Sequence, residues 1–100
     1  MQSDRFEWDD EKARFNAVKH GIRFDQAITA FDDPLALIAS DEKHSTKAEI
    51  REWLIGESDD GVLVVVFTKR ESGRVYRIIS ARRASTRERR SYEEFKRVSL

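Results

Sequence analysis

Arginine is the residue whose type and spacing most suggest chemistry in this chain. Between Lys69 and Arg90 stand nine basic and two acidic residues, a local charge of +7 in a chain whose net charge is zero. The guanidinium group is planar and permanently charged, and it makes charge-assisted, often bidentate bonds to phosphate. Arg77, Arg82 and Arg83 lie on or at the end of an alternating stretch, Arg74 to Arg83, that reads as a β-strand. Arg87, Arg89 and Arg90 follow a polar break and belong to a helix, where ion pairing, partner docking or solvation is the expected use. Phosphodiester cleavage also needs groups that move protons. For those transfers the sequence offers His44, Glu52, Lys69 and Tyr76, with no obvious pair among them. Trp53 and Tyr76 are candidates for stacking on bases.

Each of these residues also has a plainer use. Exposed ion pairs with the acidic N-terminal half account for any single arginine. A lone loop histidine such as His44 is commonly surface. His20 falls at the end of a helix, where the dipole favours a cation. Trp53 and Tyr76 suit a half-buried sheet, and Glu52 suits an ion pair with a neighbouring strand. Two isolated histidines show no ligand spacing, and the absence of cysteine excludes disulfides and thiolate zinc sites. There is no Gly-rich phosphate loop, no Gly-x-Ser-x-Gly and no His-Glu-x-x-His. No metal and no cofactor is expected.

These side chains need elements to position them. Phe6-Glu7-Trp8 alternates apolar and acidic residues, as a short leading strand or extended arm does. Asp9 can cap a helix over about 10–20, and Gly21 supplies its left-handed stop. Ala13, Asn16, Ala17 and His20 share one face of that helix, flanked by Phe15 and Val18. Phe24, Ala27, Ile28 and Phe31 follow helical spacing and predict a second helix over about 25–31, ended by Asp33-Pro34. Leu35 to Ala39 reads as a strand, Ser40 to Ala48 as the loop that carries His44, and Ile50 to Ile55 as a strand with apolar residues on both faces. Val62 to Phe67 is an unbroken apolar run, which predicts a central strand covered on both sides.

Lys69 to Gly73 is a turn, and Ser85-x-x-Glu88 has the capping-box spacing for a closing helix with Glu88, Tyr92 and Phe95 on one stripe. Alternation in 74–83 leaves open which face is buried, and a bulge near Ile78-Ile79 would mix the two. The expected fold class is α+β: two N-terminal helices, an antiparallel sheet of three to four strands, and a C-terminal helix.

One hundred residues suit a single domain, 1–100, and 39% hydrophobic content allows a modest core. Residues 1–50 carry a net −4 and residues 51–100 a net +4, so the chain is dipolar rather than globally basic. No apolar run approaches the ~20 residues of a membrane span. The first ten residues lack the order of a signal peptide. With no cysteine as well, a cytoplasmic location without a membrane partner is expected.

Phe6-Glu7-Trp8-Asp9, the segments 19–24 (KHGIRF) and 31–34 (FDDP), and 77–94 (RIISARRASTRERRSYEE) together resemble the BrnT family of toxins, in order and over nearly the whole chain. IISARRA followed by ERRxY is the most specific part; Asp41-x-x-His44 and Glu52-Trp53 with Ile55-Gly56 also fit. The resemblance implies a RelE-like fold and a ribonuclease toxin of a type II toxin–antitoxin pair, acting on RNA. It implies a BrnA-like antitoxin that blocks the toxin, with operator DNA reached only through the antitoxin complex. Carried over position by position, it highlights His44, Glu52, Trp53, Arg77, Arg82 and Arg83. The expected catalytic set is therefore His44, Glu52, Arg77, Arg82 and Arg83, with Trp53, Lys69 and Tyr76 binding RNA. The expected activity is metal-independent RNA cleavage through the 2′-hydroxyl, which inhibits translation. The alternative is a non-enzymatic module of the same fold that docks a protein target or antitoxin and contributes to operator binding.

Overall fold

A computed structural model describes residues 5–99; of the expected domain 1–100, residues 1–4 and 100 lie outside the described part. Asp9 starts the first helix, α1 (Asp10–His20), by accepting from the amides of Glu11 and Lys12 at 2.9 and 3.0 Å. Gly21 ends it at φ +72°, a conformation that costs other residues a steric penalty. Asn16 is the one buried residue of α1. Its carboxamide accepts from the Ala81 amide at 3.1 Å and donates to the Ala81 carbonyl at 2.8 Å. It thereby takes the place of a neighbouring strand, and the helix is fastened by hydrogen bonds more than by an apolar stripe. Phe15 and Val18 stay 68% and 88% exposed.

The sheet has five strands: β1 (Phe6–Glu7), β2 (Leu37–Ser40), β3 (Arg51–Ser58), β4 (Gly61–Arg70) and β5 (Val75–Arg83), in the order β1-β5-β4-β3-β2. The unbroken apolar run forms β4, the middle strand, as its composition predicts. β2 to β5 pair antiparallel, but β1 pairs parallel with β5, which makes the sheet mixed and larger than expected. Tight turns dictate antiparallel pairing only between consecutive strands. β1 meets its partner after most of the chain has intervened, so no turn signal announces the pairing.

The expected second helix is also different. Only Phe24–Ala27 (α2) is α-helical, and Ile28–Asp32 tightens into a 3₁₀ turn. The Thr29 hydroxyl donates to the Gln26 carbonyl at 2.6 Å, which competes with the regular ladder. The apolar face survives the change: Phe24, Ala27 and Ala30 are buried. Gly56 of β3 lets this turn approach, since a Cβ there would sit 2.9 Å from the Ala30 carbonyl oxygen.

The main core lies between the sheet and the α1–α2 layer. Leu54, Leu63, Val65, Phe67, Ile78 and Ala81 meet Phe6, Trp8, Ile22 and Phe24 there. Phe31 packs on Phe6, Phe67 and Tyr76 with ring centroids 5.0, 5.1 and 5.3 Å apart. Full burial of one such aromatic contributes about 1.5–3 kcal/mol.

β5 carries a bulge, which settles the question of faces that alternation leaves open. Val66 faces Ser80 and Phe67 faces Ile78, so Ile79 has no opposite residue. The extra residue resets the alternation. Tyr76, Ile78 and Ala81 all reach the main core, while Arg77, Ile79, Ser80 and Arg82 fall to the other side. That other face is only partly covered, by α3 (Thr86–Ser99). Ser85 and Glu88 close the capping box at 3.1 and 2.8 Å. Tyr92 is the buried residue of α3 and packs with Ile55, Val64 and Ala84. Its hydroxyl donates to the Asp33 carboxylate. Burial pushes that hydroxyl up, and the bond to Asp33 adds to the effect. Burial also raises the Asp33 carboxyl, but donation from the Glu57 amide, the Tyr92 hydroxyl and the Leu35 amide outweighs it and holds the group low.

Candidate active site

Where α3 stops covering the sheet, a groove of about 600 Å³ opens. Its floor is apolar: Leu37, Trp53, Ile55, Val64, Val66 and Ile79. Its walls carry His44 and Asp41 from the β2–β3 loop, Arg51 from β3, Arg82 and Ser80 from β5, and Arg87, Glu88 and Ser91 from α3. An apolar floor with a few convergent polar groups is the usual form of a ligand site.

The loop that presents His44 is stapled through Ser45. The Ser45 hydroxyl donates to the Asp41 carbonyl at 2.6 Å and accepts from the Arg51 amide at 2.9 Å. The Asp41 amide donates to the Arg51 carbonyl at 2.8 Å. Thr46 and Glu49 close the far end with bonds of 2.8 and 3.1 Å. Glu42–His44 forms a short 3₁₀ turn that brings the His44 ring over Asp41. His44 Nδ1 lies 3.0 and 3.1 Å from the two Asp41 carboxylate oxygens. Asp41 is 17% and His44 60% exposed at the side chain, so the acid is sheltered and the ring is accessible. A carboxylate on Nδ1 selects the tautomer that leaves Nε2 to exchange a proton with a ligand.

Arg82 is held across from the loop. Its Nη1 and Nη2 meet the Glu88 carboxylate at 2.7 and 2.8 Å, and Nη1 also lies 3.4 Å from the Arg83 carbonyl. A guanidinium has five N–H groups, so this arrangement leaves the Nε–H edge for another acceptor. The Arg82 fork holds the Glu88 carboxyl at about 2 against burial, with help from the Ser85 amide. The same bond raises Arg82 above its ordinary range. Arg51 is oriented by Glu49, whose carboxylate lies 2.9 Å from Nε.

Of the eight residues expected at the site, the groove gathers three: His44, Trp53 and Arg82. The structure places the others elsewhere. Glu52 shares the parity of Leu54, so it lies on the opposite face of β3, where Lys69 pairs with it at 3.4 Å. Tyr76 belongs to the aromatic core against Phe6, Phe31 and Phe67. Arg83 is one residue past Arg82 and so faces the other way, donating to the Asp60 carbonyl at 2.9 Å. Arg77 is on the same face as Arg82, but Glu7 holds it at 2.7 Å, away from the groove.

Asp41, Arg51, Ser80 and Arg87 are groove residues that sequence reasoning did not place at the site. Asp41 had a signal, the Asp-x-x-His spacing. Arg51 had one too, since it shares strand parity with Trp53. Among the described residues no three His, Cys, Asp or Glu are gathered to hold a metal ion. No described helix is long and apolar enough to cross a membrane.

Residues 8–88 match the family model described as the ribonuclease toxin BrnT of type II toxin–antitoxin systems. No curated protein sequence matches the chain. The matched span begins just after β1 and contains every other strand and the groove residues from Leu37 through Glu88. The chain therefore belongs to the BrnT family of ribonuclease toxins, whose type II systems pair each toxin with an antitoxin.

Proposed function

We propose that this protein is a cytoplasmic, metal-independent endoribonuclease that cleaves RNA through the 2′-hydroxyl, inhibits translation and is neutralised by a cognate BrnA-like antitoxin. The observation that carries the reading is the Asp41–His44 pair facing the same groove as Arg51 and Arg82. Cleavage requires that the 2′-hydroxyl lose a proton, that charge on the pentavalent phosphorus be stabilised, and that the leaving oxygen gain a proton. His44 Nε2 takes the proton of the 2′-hydroxyl as its oxygen attacks phosphorus. Asp41 steadies the imidazolium that results. Arg82, through its Nε–H edge, and Arg51 receive the charge on the phosphoryl oxygens. The imidazolium returns its proton to the departing 5′-oxygen, which leaves a 2′,3′-cyclic phosphate and a 5′-hydroxyl. Trp53 supplies an apolar surface for a base. The antitoxin blocks the toxin, and operator DNA is met only in the complex.

The test is cleavage of RNA by the purified protein in EDTA, with the ends identified. Chelation-resistant cleavage giving cyclic phosphates is the expected result, and a 2′-deoxy substitution at the scissile position abolishes it. Tight RNA or antitoxin binding without any cleavage would establish a non-enzymatic module instead.

A further inference from the structure

We infer that the substrate strand runs beyond the cleavage groove onto α1, where Phe15 is a stacking platform for a base of single-stranded RNA. This rests on the ribonuclease reading above. A second groove, of about 570 Å³, lies between α1 and β5, and it shares Arg51, Ile79 and Ser80 with the first. The two form one trough across the open face of the sheet. A polymer seated at Arg82 and His44 has to leave the groove, and this trough continues the path.

The α1 wall has the chemistry of a single-strand site. Lys12, Phe15 and Lys19 stand at i−3, i and i+4, which puts them on one helix face. All three line the second groove, and Phe15 is 68% exposed there. An exposed ring between two ammonium groups offers a base its face and the adjoining phosphates their charge. Asp9 and Glu11 also line the groove, at the start of the helix. Asp9 is engaged by the amides of Glu11 and Lys12; Lys12 stands in the first turn beside these acids, while Lys19 and His20, which also lines the groove, stand in the last turn away from them.

The wall is also fixed in place. Asn16, beside Phe15, binds both backbone groups of Ala81, one residue beyond Ser80. A third bond, to the Ile22 carbonyl at 3.0 Å, ties the helix end to the same anchor. The platform is thus held to the strand that carries Arg82. Single-stranded RNA fits because a base must be unstacked to lie on the ring.

The experiment compares a mixed set of ribodinucleotides with a random-sequence ribooctamer. In the native protein kcat/KM for the octamer exceeds that for the dinucleotides. Phe15→Ala lowers that ratio by about tenfold, and Phe15→Trp preserves it. An unaltered ratio in Phe15→Ala overturns the inference, and so does weaker antitoxin binding with the ratio intact, which assigns the α1 face to the antitoxin. If the native protein cleaves neither substrate, the ribonuclease reading fails on its own. The α1 site is then read from binding of a fluorescent all-2′-deoxy octamer. About tenfold weaker binding by Phe15→Ala upholds it, and equal binding overturns it.

Discussion

On one side of the sheet, Leu54, Val65, Phe67 and Ile78 are almost fully buried beneath the α1–α2 layer. On the other, their strand neighbours Trp53, Val64, Val66 and Ile79 line a groove rimmed by Arg51 and Arg82. The two faces come from alternate residues of the same strands. One face meets a complete second layer, and its apolar area is spent on stability. The other is covered by α3, through one buried residue, and only bordered by α1, so part of its apolar surface stays open to a ligand. The bulge at Ile79 keeps Arg77 and Arg82 together on the open side, although five residues of a regular strand would have put them on opposite faces.

Substitutions on the two faces should have different consequences. On the closed face, Phe67→Ala should cost about 3–5 kcal/mol of stability in chemical denaturation. A loss under 1 kcal/mol would mean that this face is not the core. On the open face, His44→Ala should lower cleavage by about 10²–10⁴-fold with the unfolding midpoint nearly unchanged. If both activity and midpoint fall together, His44 is holding the loop rather than moving protons.

The smallest effect concerns the Arg82–Glu88 pair. The Glu88 carboxyl is lowered from 4.5 to about 2 in the folded protein. Its contribution to stability is therefore complete above about pH 4.5 and is lost as pH falls toward about 2. Because both side chains are partly exposed, screening reduces the contribution to about 1 kcal/mol. Glu88→Gln should be less stable than the native protein by that amount near neutrality. The difference should shrink in acid; a constant difference would show that the fork does not carry it.

Much of this fold was legible in the sequence, for local reasons. Asp9 and Gly21 bound α1, Ser85 and Glu88 open α3, and the apolar run at 62–67 is the central strand. The Ile78–Ile79 bulge was foreseeable because no single alternation buries the right residues of β5. The parallel β1–β5 pair was not legible, because its partners are 70 positions apart in the chain (Phe6 with Tyr76).

The candidate groove was legible only in part. Chemistry type picked out His44, Trp53 and Arg82, but the face of each strand residue depends on what packs across it. β3 has apolar residues at both parities, so nothing local separates Glu52 from Trp53. Arg82 and Arg83 are likewise alike in type and adjacent in sequence. Only the register of β5 against β4 assigns one to the groove and the other to the Asp60 carbonyl.

That adjacency supplies the most direct measurement. RNA cleavage rates of Arg82→Ala and Arg83→Ala should be compared at equal folded concentration. Loss of Arg82 should lower the rate by about 10²–10³-fold, as removal of a charge-stabilising donor does, while loss of Arg83 should change it by less than about threefold. Equal losses in the two variants, or a larger loss at Arg83, would contradict the assignment of the chemistry to the open face.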